Sequence, residues 1–167
     1  MPAASEWAEI VERNVAVVTN AALRVLGCTS DAEDVAQEVF LEAFRKLDTF
    51  DDHAWAGLLR RMAVCRALDV LRSRKIHATL TTEVVIDQGL SAEEQILKLE
   101  RHDLLRKAVR DLPAREAEVF CMACFEQLSQ QEIAESLGLQ RSAVASLLSK
   151  AKIKLTQELC RVSGDVQ

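Results

Sequence analysis

Scarcity of turn-forming residues is the feature that most limits the fold of this chain. Among 167 residues there are only 2 prolines and 5 glycines, and there is no tyrosine. The turns and aromatic positions of a β-sandwich or barrel would lack their usual residues, whereas helices need none of them. Hydrophobic residues make up 49%, which is enough for a packed core. We therefore expect an all-α protein.

Start and stop signals indicate where the helices lie. Ser-x-x-Glu capping boxes begin at Ser30, Ser91 and Ser129. Pro113 suits the first turn of a helix, and Gly138 suits a left-handed cap at the end of one. The predicted helices cover about residues 5–26, 31–47, 54–74, 92–111, 114–126, 129–137 and 141–161.

The helical period is lost at one place, between residues 76 and 91. We predict a flexible linker there, because β-branched residues, an aspartate and a glycine follow one another without a regular apolar stripe. The chain is thus predicted to form two small helical domains, an N-terminal bundle over residues 1–75 and a C-terminal bundle over residues 92–167.

The basic residues concentrate in two places. The chain has a formal net charge of −5, yet residues 60–75 hold six basic residues and one acidic residue. Residues 139–155 hold four basic residues and no acidic one. Two basic patches on an acidic chain suit a protein that touches a polyanion at two points, although solvated helix faces would give the same pattern.

The cysteines do not predict a metal site. Of the five, Cys121 and Cys124 form a single CxxC in an apolar stretch, without a second pair or a nearby histidine. Buried thiols pack as small hydrophobic groups, so we expect packing rather than metal or redox chemistry, and no cofactor.

Catalysis and membrane insertion are not expected either. The three histidines, His53, His77 and His102, lie in unrelated contexts without a paired acid or nucleophile, so an enzyme is not predicted. The apolar runs are far shorter than a membrane span and the N-terminus lacks signal-peptide features, so a cytoplasmic location is expected.

Residues 131–144 have the pattern of a helix-turn-helix. Ala134 allows two helices to cross closely, Gly138 tolerates a positive φ in the turn, and Val144 anchors the second helix. The second helix, from about Arg141 to Leu155, could then enter a DNA major groove. Helix pairs of plain bundles share this pattern, so it favours DNA binding only modestly.

Longer segments resemble a known family. Leu112–Phe120 and Phe125–Ala134 resemble region four of bacterial sigma factors. Asp31–Phe44, followed by Leu59–Ala63 and Ala67–Arg72, resembles region two. Two such regions in this order, joined by a short linker and covering about residues 7–159, resemble the extracytoplasmic-function (ECF) sigma factors.

The resemblance implies a transcription factor without enzyme activity. Such a protein binds core RNA polymerase, directs it to promoter DNA, helps to melt that DNA, and is commonly controlled by an anti-sigma factor. Polymerase binding is implied for a polar and apolar stripe on the second helix: Asp34, Gln37, Glu38 and Leu41.

The resemblance also implies two DNA-binding surfaces. The region-two surface, for the promoter element nearer the start site, would consist of Arg60, Arg61, Cys65, Arg66, Arg72, Arg74 and Lys75. The region-four surface, for the upstream element, would consist of Gln140, Arg141, Ser142, Ser146, Ser149 and Lys150. Trp55 could stack on a base, although a buried anchor is the favoured role.

The chain departs from the family pattern at two places. Where the family has an Arg-Asn pair that can bind a flipped base, this chain has Val64 and Cys65, and a thiol is a poor hydrogen-bonding group. In the recognition helix Ala145 and Leu147 stand where the family has lysine and arginine. Either the upstream element is read weakly or Leu147 turns the helix to protein contacts; Ala145→Lys with Leu147→Arg should then tighten DNA binding.

Two other functions remain open from the sequence. A sigma-like adaptor or decoy would bind an anti-sigma factor without strong promoter recognition, which the altered recognition helix favours. A plain helix-turn-helix regulator would have no need of the N-terminal half.

Overall fold

A computed structural model describes residues 4–46, 55–74 and 89–164. Over these ranges the chain is helical and has no strand, which confirms the all-α prediction. Residue 75 and most of the predicted linker, residues 76–88, lie outside the described residues. The helices are α1 (Ala4–Leu26), α2 (Thr29–Arg45), α3 (Trp55–Ser73), α4 (Ala92–Arg110), α5 (Ala114–Phe120), α6 (Gln130–Leu137) and α7 (Arg141–Gly164). A π-helical turn, Cys121–Phe125, continues α5.

Local signals set most of the helix ends. At the start of α6 the Ser129 hydroxyl accepts the Glu132 N–H, and the Glu132 carboxylate accepts the Ser129 N–H at 2.7 Å. Ser91 makes the same capping box with Glu94 at the start of α4. Gly138 ends α6 with a φ of 63°, in the left-handed region that favours glycine. These three predictions are confirmed.

The capping box predicted at Ser30 is wrong. Helix α2 already begins at Thr29, and its N-cap residue, Cys28, makes no side-chain capping bond. Gly27, with a φ of 69°, turns the chain directly after α1 and starts the next helix early. Ser30 therefore lies inside the first turn of α2, where its side chain is past the capping position.

The N-terminal half is a bundle of α1, α2 and α3, in which α1 contacts both other helices. Its core consists of small and β-branched side chains such as Val18, Ala22, Val35 and Val39, each 4% exposed or less. In the C-terminal half, α7 packs against α4, α5 and α6. Val144 and Ala151 are fully buried on the inner side of α7.

The two halves lie against each other. Helix α3 contacts α4, α5, α6 and the π-helical turn, and α1 contacts the same turn. Buried residues of both halves, such as Leu59 of α3 and Phe120 of α5, belong to one apolar cluster. The C-terminal half therefore covers much of the side of α3 that faces away from α1 and α2.

Candidate functional site

The stripe predicted to bind polymerase is exposed on α2. Asp34, Gln37, Glu38 and Leu41 follow one another at helical spacing on the outer side of the helix. Leu41 is 57% exposed, and with the exposed Val15 and Phe44 it belongs to an apolar patch rather than being an isolated exposed side chain. The opposite side of α2 carries buried valines, so the helix presents this stripe because its apolar face is fixed in the core.

An apolar groove of about 640 Å³ runs along this stripe between α1 and α2. It includes Gln37 and Leu41 of the stripe. Its other lining residues are Trp7, Val11, Val15, Thr19, Glu33, Ala36, Phe40 and Phe44. This groove was not predicted from the sequence, although the spacing of four residues along α1 from Trp7 to Thr19 could have indicated it.

Aromatic rings close one end of this groove. The ring centroid of Trp7 lies 5.5 Å from that of Phe44 and 5.7 Å from that of Trp55. Trp55 is half-buried and joins the start of α3 to α1 through this contact. Its position agrees with the favoured role as an anchor rather than as a base-stacking residue.

All five described arginines of the predicted region-two DNA surface lie within ion-pair distance of a carboxylate. Three of them pair inside the N-terminal half: Arg66 with Glu38, Arg72 with Asp69 at 3.7 Å, and Arg74 with Asp31. Because Glu38 belongs to the predicted polymerase stripe, the Arg66 pair joins the two predicted surfaces. Lys75 lies outside the described residues.

Two further residues of that surface, Arg61 and Cys65, contact Glu118 of α5. The Arg61 Nε lies 3.4 Å from Glu118 Oε1, and the Cys65 thiol donates to the same oxygen at 3.0 Å. Arg115 donates to the other oxygen at 2.8 Å. Burial, and then the bond to Glu118, raise the pKa of the Cys65 thiol to about 12, so it stays protonated at neutral pH.

Glu126, directly after the π-helical turn, makes a second contact of this kind. Arg24 of α1 donates to Glu126 Oε1 at 2.9 Å, and the Arg60 Nε lies 3.5 Å from Glu126 Oε2. The Glu126 side chain is only 3% exposed. Arg61 also donates to the Ser136 carbonyl at 2.8 Å, so α3 is bonded to α6 as well.

A third contact joins the α1–α2 corner to α4. The guanidinium carbon of Arg106 would lie 2.4 Å from a Cβ at Gly27, so a larger residue there would have to displace the end of the Arg106 side chain. Arg106 is 7% exposed, and its side chain also pairs with Asp103 at 3.4 Å. Burial lowers the pKa of the Arg106 guanidinium.

The helix-turn-helix consists of α6, a turn at Gly138, and α7. Ile133 and Val144 are fully buried between the two helices. The whole predicted region-four surface is exposed: Gln140, Arg141, Ser142, Ser146, Ser149 and Lys150. The helix-turn-helix pattern thus leaves one side of α7 open, which is the side a major groove would require.

The two departures in α7 have different surroundings. Leu147 is half-buried and packs against the apolar core, so its side chain does not belong to the exposed face. Ala145 has the same intermediate exposure but is not one of the side chains packed on that core. A leucine at 147 therefore has a packing role within this chain, and only position 145 is open to a longer basic side chain.

The CxxC cysteines lie in different environments. Cys121 is fully buried, whereas Cys124 is exposed, so the prediction that both thiols pack is wrong for Cys124. Both lie in the π-helical turn, where three residues rotate the chain less than in an α-helix and Cys124 leaves the buried side. Burial raises the pKa of the Cys121 thiol far above its ordinary range. Among the described residues no cluster of histidine, cysteine and acidic side chains could hold a metal ion.

Comparison with known proteins identifies the family. A family model described as Sigma-70 region 2 matches residues 10–76, and one described as Sigma-70, region 4 matches residues 102–155. The chain is 26% identical over 165 residues to the ECF RNA polymerase sigma factor SigW of Bacillus subtilis, covering 92% of this chain and 88% of SigW. The chain is an ECF sigma factor.

One further relative and one solved structure extend the comparison. The ECF RNA polymerase sigma factor SigE of Mycolicibacterium smegmatis is 27% identical and matches 95% of this chain, which spans 63% of SigE. The structure of CnrH in complex with the cytosolic domain of CnrY matches with a TM-score of 0.64 at 24% identity, covering 96% of this chain and 91% of CnrH. The likeness to CnrH shows a shared fold.

The family bears on catalysis and on how the two halves of the molecule are assigned. Sigma-70 factors are not a class of enzymes, which agrees with the sequence prediction. None of the helices in residues 4–46, 55–74 and 89–164 is both long and apolar enough to cross a membrane. Arg60 and Arg61 of α3 belong to region 2, and their partners Glu126 and Glu118 belong to region 4.

Proposed function

We propose that this chain binds core RNA polymerase through region 2 and directs it to promoters through both regions, under the control of an anti-sigma factor. The observation that carries the proposal is the presence of both sigma regions, in order, in one chain. Because a chain with this function acts with polymerase and DNA, we place it in the cytoplasm. The domain limits proposed are residues 1–75 for region 2, 76–91 for the linker and 92–167 for region 4.

The polymerase surface proposed is the stripe on α2. Two carboxylates and an amide lie beside Leu41, and the apolar groove continues from it. Such a surface suits a basic amphipathic helix, since the acidic groups bind its cations while Leu41 and the groove bind its apolar side. We assign Asp34, Gln37, Glu38 and Leu41 to this contact.

The experiment is a pull-down of core RNA polymerase by the full chain, followed by run-off transcription with the reconstituted holoenzyme. Leu41→Asp should reduce polymerase capture by at least about tenfold, because it places a charge in an apolar contact. Leu97→Asp is the matched control, since Leu97 is 50% exposed on α4 and outside the stripe. Equal loss in both variants, or capture unaffected by Leu41→Asp, would contradict the assignment.

The upstream promoter surface proposed is the exposed side of α7. Arg141 and Lys150 supply positive charge near the phosphates, while Gln140 and the serines offer hydrogen bonds to base edges. The predicted region-two surface would contact the element nearer the start site. Binding-site selection with the reconstituted holoenzyme identifies the promoter sequence and tests both surfaces together.

Control by an anti-sigma factor is supported by the fold likeness to CnrH, whose structure contains the cytosolic domain of CnrY. The exposed apolar groove between α1 and α2 provides a surface for such a partner. If the partner binds there, it excludes polymerase from Leu41. Competition between the partner and core polymerase for the chain is the measurement that tests this.

A second candidate is the adaptor or decoy, which would bind an anti-sigma factor without supporting transcription. It is favoured by one observation: Leu147 packs inward where the family has an arginine for DNA. Run-off transcription separates the two candidates, because a decoy gives no transcript even when it captures polymerase.

A further inference from the structure

One lysine in the basic stretch of α7 is bonded to the protein. Although much of the Lys154 side chain is exposed, its Nζ donates to Glu116 Oε1 of α5 at 2.9 Å. Lys150, one helical turn earlier, is exposed, and no carboxylate of the described residues lies within ion-pair distance of it. Two lysines of the same stretch therefore have different partners.

The carboxylate that binds Lys154 is buried. The Glu116 side chain is 9% exposed, and its Oε2 atom has no hydrogen-bond partner among the described residues. Within that part of the chain, Lys154 is the one cation at ion-pair distance from this carboxylate. Loss of the lysine would leave a buried charge without compensation, which is costly. The bond therefore ties α7 firmly to α5.

The bond lies on one flank of the buried side of α7. That buried side consists of Val144, Leu148, Ala151 and Leu155. Leu147 and Lys154 are seven residues apart, or two helical turns, so they share a flank of it, and Leu147 packs on the apolar core. The exposed side carries three serines at helical spacing: Ser142, Ser146 and Ser149.

Short side chains make base recognition sensitive to the rotation of the helix. A serine hydroxyl must lie within about 3 Å of a base edge to bond with it, and it has no long stem with which to adjust. The long side chain of Lys150 still reaches a phosphate after a small rotation of α7. Rotation would therefore remove contacts to bases before contacts to phosphates.

We propose that Glu116 and Lys154 are positioning residues for promoter recognition: their ion pair fixes the rotation of α7 on α5 so that the serines face the base edges. Lys154 in this arrangement is not a phosphate contact. Neither residue belongs to the predicted region-four surface. The inference rests on the proposed function, because it takes the exposed side of α7 as the surface for the upstream element.

The experiment compares the affinities of the reconstituted holoenzyme for two duplexes. One is the duplex enriched by binding-site selection with the unchanged chain, and the other is that duplex with its upstream element replaced by random sequence. Glu116→Gln keeps the side-chain shape, leaves every residue of α7 unchanged and removes the buried charge. The ratio of the two affinities should fall roughly tenfold, as loss of about one base contact implies.

The same variant gives a different result if Lys154 has another role. A lysine that contacts phosphates would be freed from Glu116, so both affinities would rise and their ratio would stay constant. A pair that serves stability alone would change both affinities equally through the folded fraction, again at constant ratio. A constant ratio therefore overturns the proposal.

Glu100→Gln is the matched control for net charge. It removes one negative charge from an exposed position of α4, and both affinities should stay within about twofold of those of the unchanged chain. An equal fall of the ratio in this control would contradict a specific role of Glu116.

Variants of the lysine test whether the two residues act as a unit. Lys154→Arg keeps a cation opposite Glu116 and should hold the ratio within about threefold, whereas Lys154→Met should lower it as Glu116→Gln does. Glu116→Gln combined with Lys154→Met should cost no more than the larger single effect, because partners in one bond are not additive. Additive losses would show that the residues act separately and would overturn the pair.

A salt titration provides a measurement that does not depend on the promoter sequence. For the free full chain on a duplex of mixed sequence, Lys150→Met should lower the slope of log affinity against log salt by about 0.9. Lys154→Met should leave this slope unchanged, and a similar decrease would identify Lys154 as a phosphate contact. If Glu116→Gln does not unfold cooperatively on heating, this comparison decides.

Failure of the inference can be told from failure of the proposed function. A constant ratio in Glu116→Gln, with normal run-off transcription and a normal preference for the enriched duplex in the unchanged holoenzyme, overturns the positioning role alone. An unchanged holoenzyme that enriches no duplex contradicts the proposed function, and the inference falls with it.

Discussion

The two basic patches of this sigma factor, residues 60–75 and 139–155, are both rich in positive charge but have opposite surroundings. In α3 the described arginines lie beside carboxylates, and two of these carboxylates come from the other half of the chain. In α7 Arg141 and Lys150 are exposed on one side of the helix, and the lysine that is paired, Lys154, binds Glu116 of α5 at 2.9 Å. A count of basic residues therefore measures the capacity to bind DNA, whereas packing decides whether that capacity is available.

The largest expected effect is on stability, and it concerns the two glycines with a positive φ, Gly27 in the N-terminal half and Gly138 in the C-terminal half. Gly27→Ala should destabilise the chain by about 3 kcal/mol, because a Cβ meets both left-handed strain and the Arg106 guanidinium. Gly138→Ala should cost only about 1 kcal/mol, because nothing lies within 4 Å of its Cβ position and strain acts alone. Urea unfolding of both variants checks the difference, and equal costs would contradict a close contact between α4 and the α1–α2 corner.

The next effect distinguishes the two patches by their response to salt. For the free chain on double-stranded DNA, Arg141→Ala with Lys150→Ala should lower the slope of log affinity against log salt by about 2, since each phosphate contact contributes about 0.9. Arg60→Ala with Arg61→Ala should change it much less, because these side chains already pair with Glu126 and Glu118. Similar changes in both pairs of variants would remove the distinction between a covered and an open patch.

A smaller effect is expected from restoring the family residues of α7 one at a time. Ala145→Lys should tighten duplex binding by roughly threefold to tenfold, because it adds a cation at a half-exposed position. Leu147→Arg should instead reduce stability by about 1–3 kcal/mol, because it replaces a side chain packed on the core with a charge. Fluorescence anisotropy and thermal unfolding measure the two effects, and tighter binding by Leu147→Arg at unchanged stability would show that position 147 faces DNA.

The smallest effect is a pH dependence of the contact around Cys65. The thiol has a pKa of about 12 in the folded chain against an ordinary value of 9.0, so the folded state keeps its proton longer than the unfolded state. The stabilisation is therefore complete below about pH 9 and is lost as the pH rises toward 12. Between about pH 8 and 10 the free energy of unfolding of the unchanged chain should fall by about 1 kcal/mol more than that of Cys65→Ser. The serine hydroxyl still donates to Glu118 but does not titrate in this range.

Urea unfolding at both pH values measures this difference. Asp69 and Arg61 also act on the pKa of the thiol, which Asp69 raises and Arg61 lowers. Cys121 contributes to alkaline sensitivity in both chains, because burial raises the pKa of its thiol as well. An equal fall in the free energy of unfolding of the two chains at alkaline pH would show that Cys65 is not buried in contact with Glu118.

The helices were predictable because their signals are local. The boxes at Ser91 and Ser129 and the cap at Gly138 each act within one turn of the chain, and the structure contains all three. The box at Ser30 failed because the positive φ of Gly27 starts α2 earlier. The polar stripe on α2 was predictable for the same reason as the helices, since its spacing follows from helical geometry.

The groove and the surroundings of α3 were not predictable in this way. The groove needs two helices side by side, and the partners of α3 are remote in sequence: Arg61 and Glu118 are 57 residues apart, and Arg24 and Glu126 are 102 apart. Leu147 could be read as a lost DNA contact or as a packing residue until its neighbours were known. Periodicity shows which residues share a face of a helix, but it does not show what covers that face.

The sequence by itself determined that this protein is helical, where nearly every helix lies, and which two stretches carry the positive charge, because backbone propensity, capping and spacing act over a few residues. Only the tertiary structure decided that one of these stretches is covered by region 4 and that the other is open. That decision depends on ion pairs and apolar contacts between distant residues, whose free energy exists only once the two halves pack together.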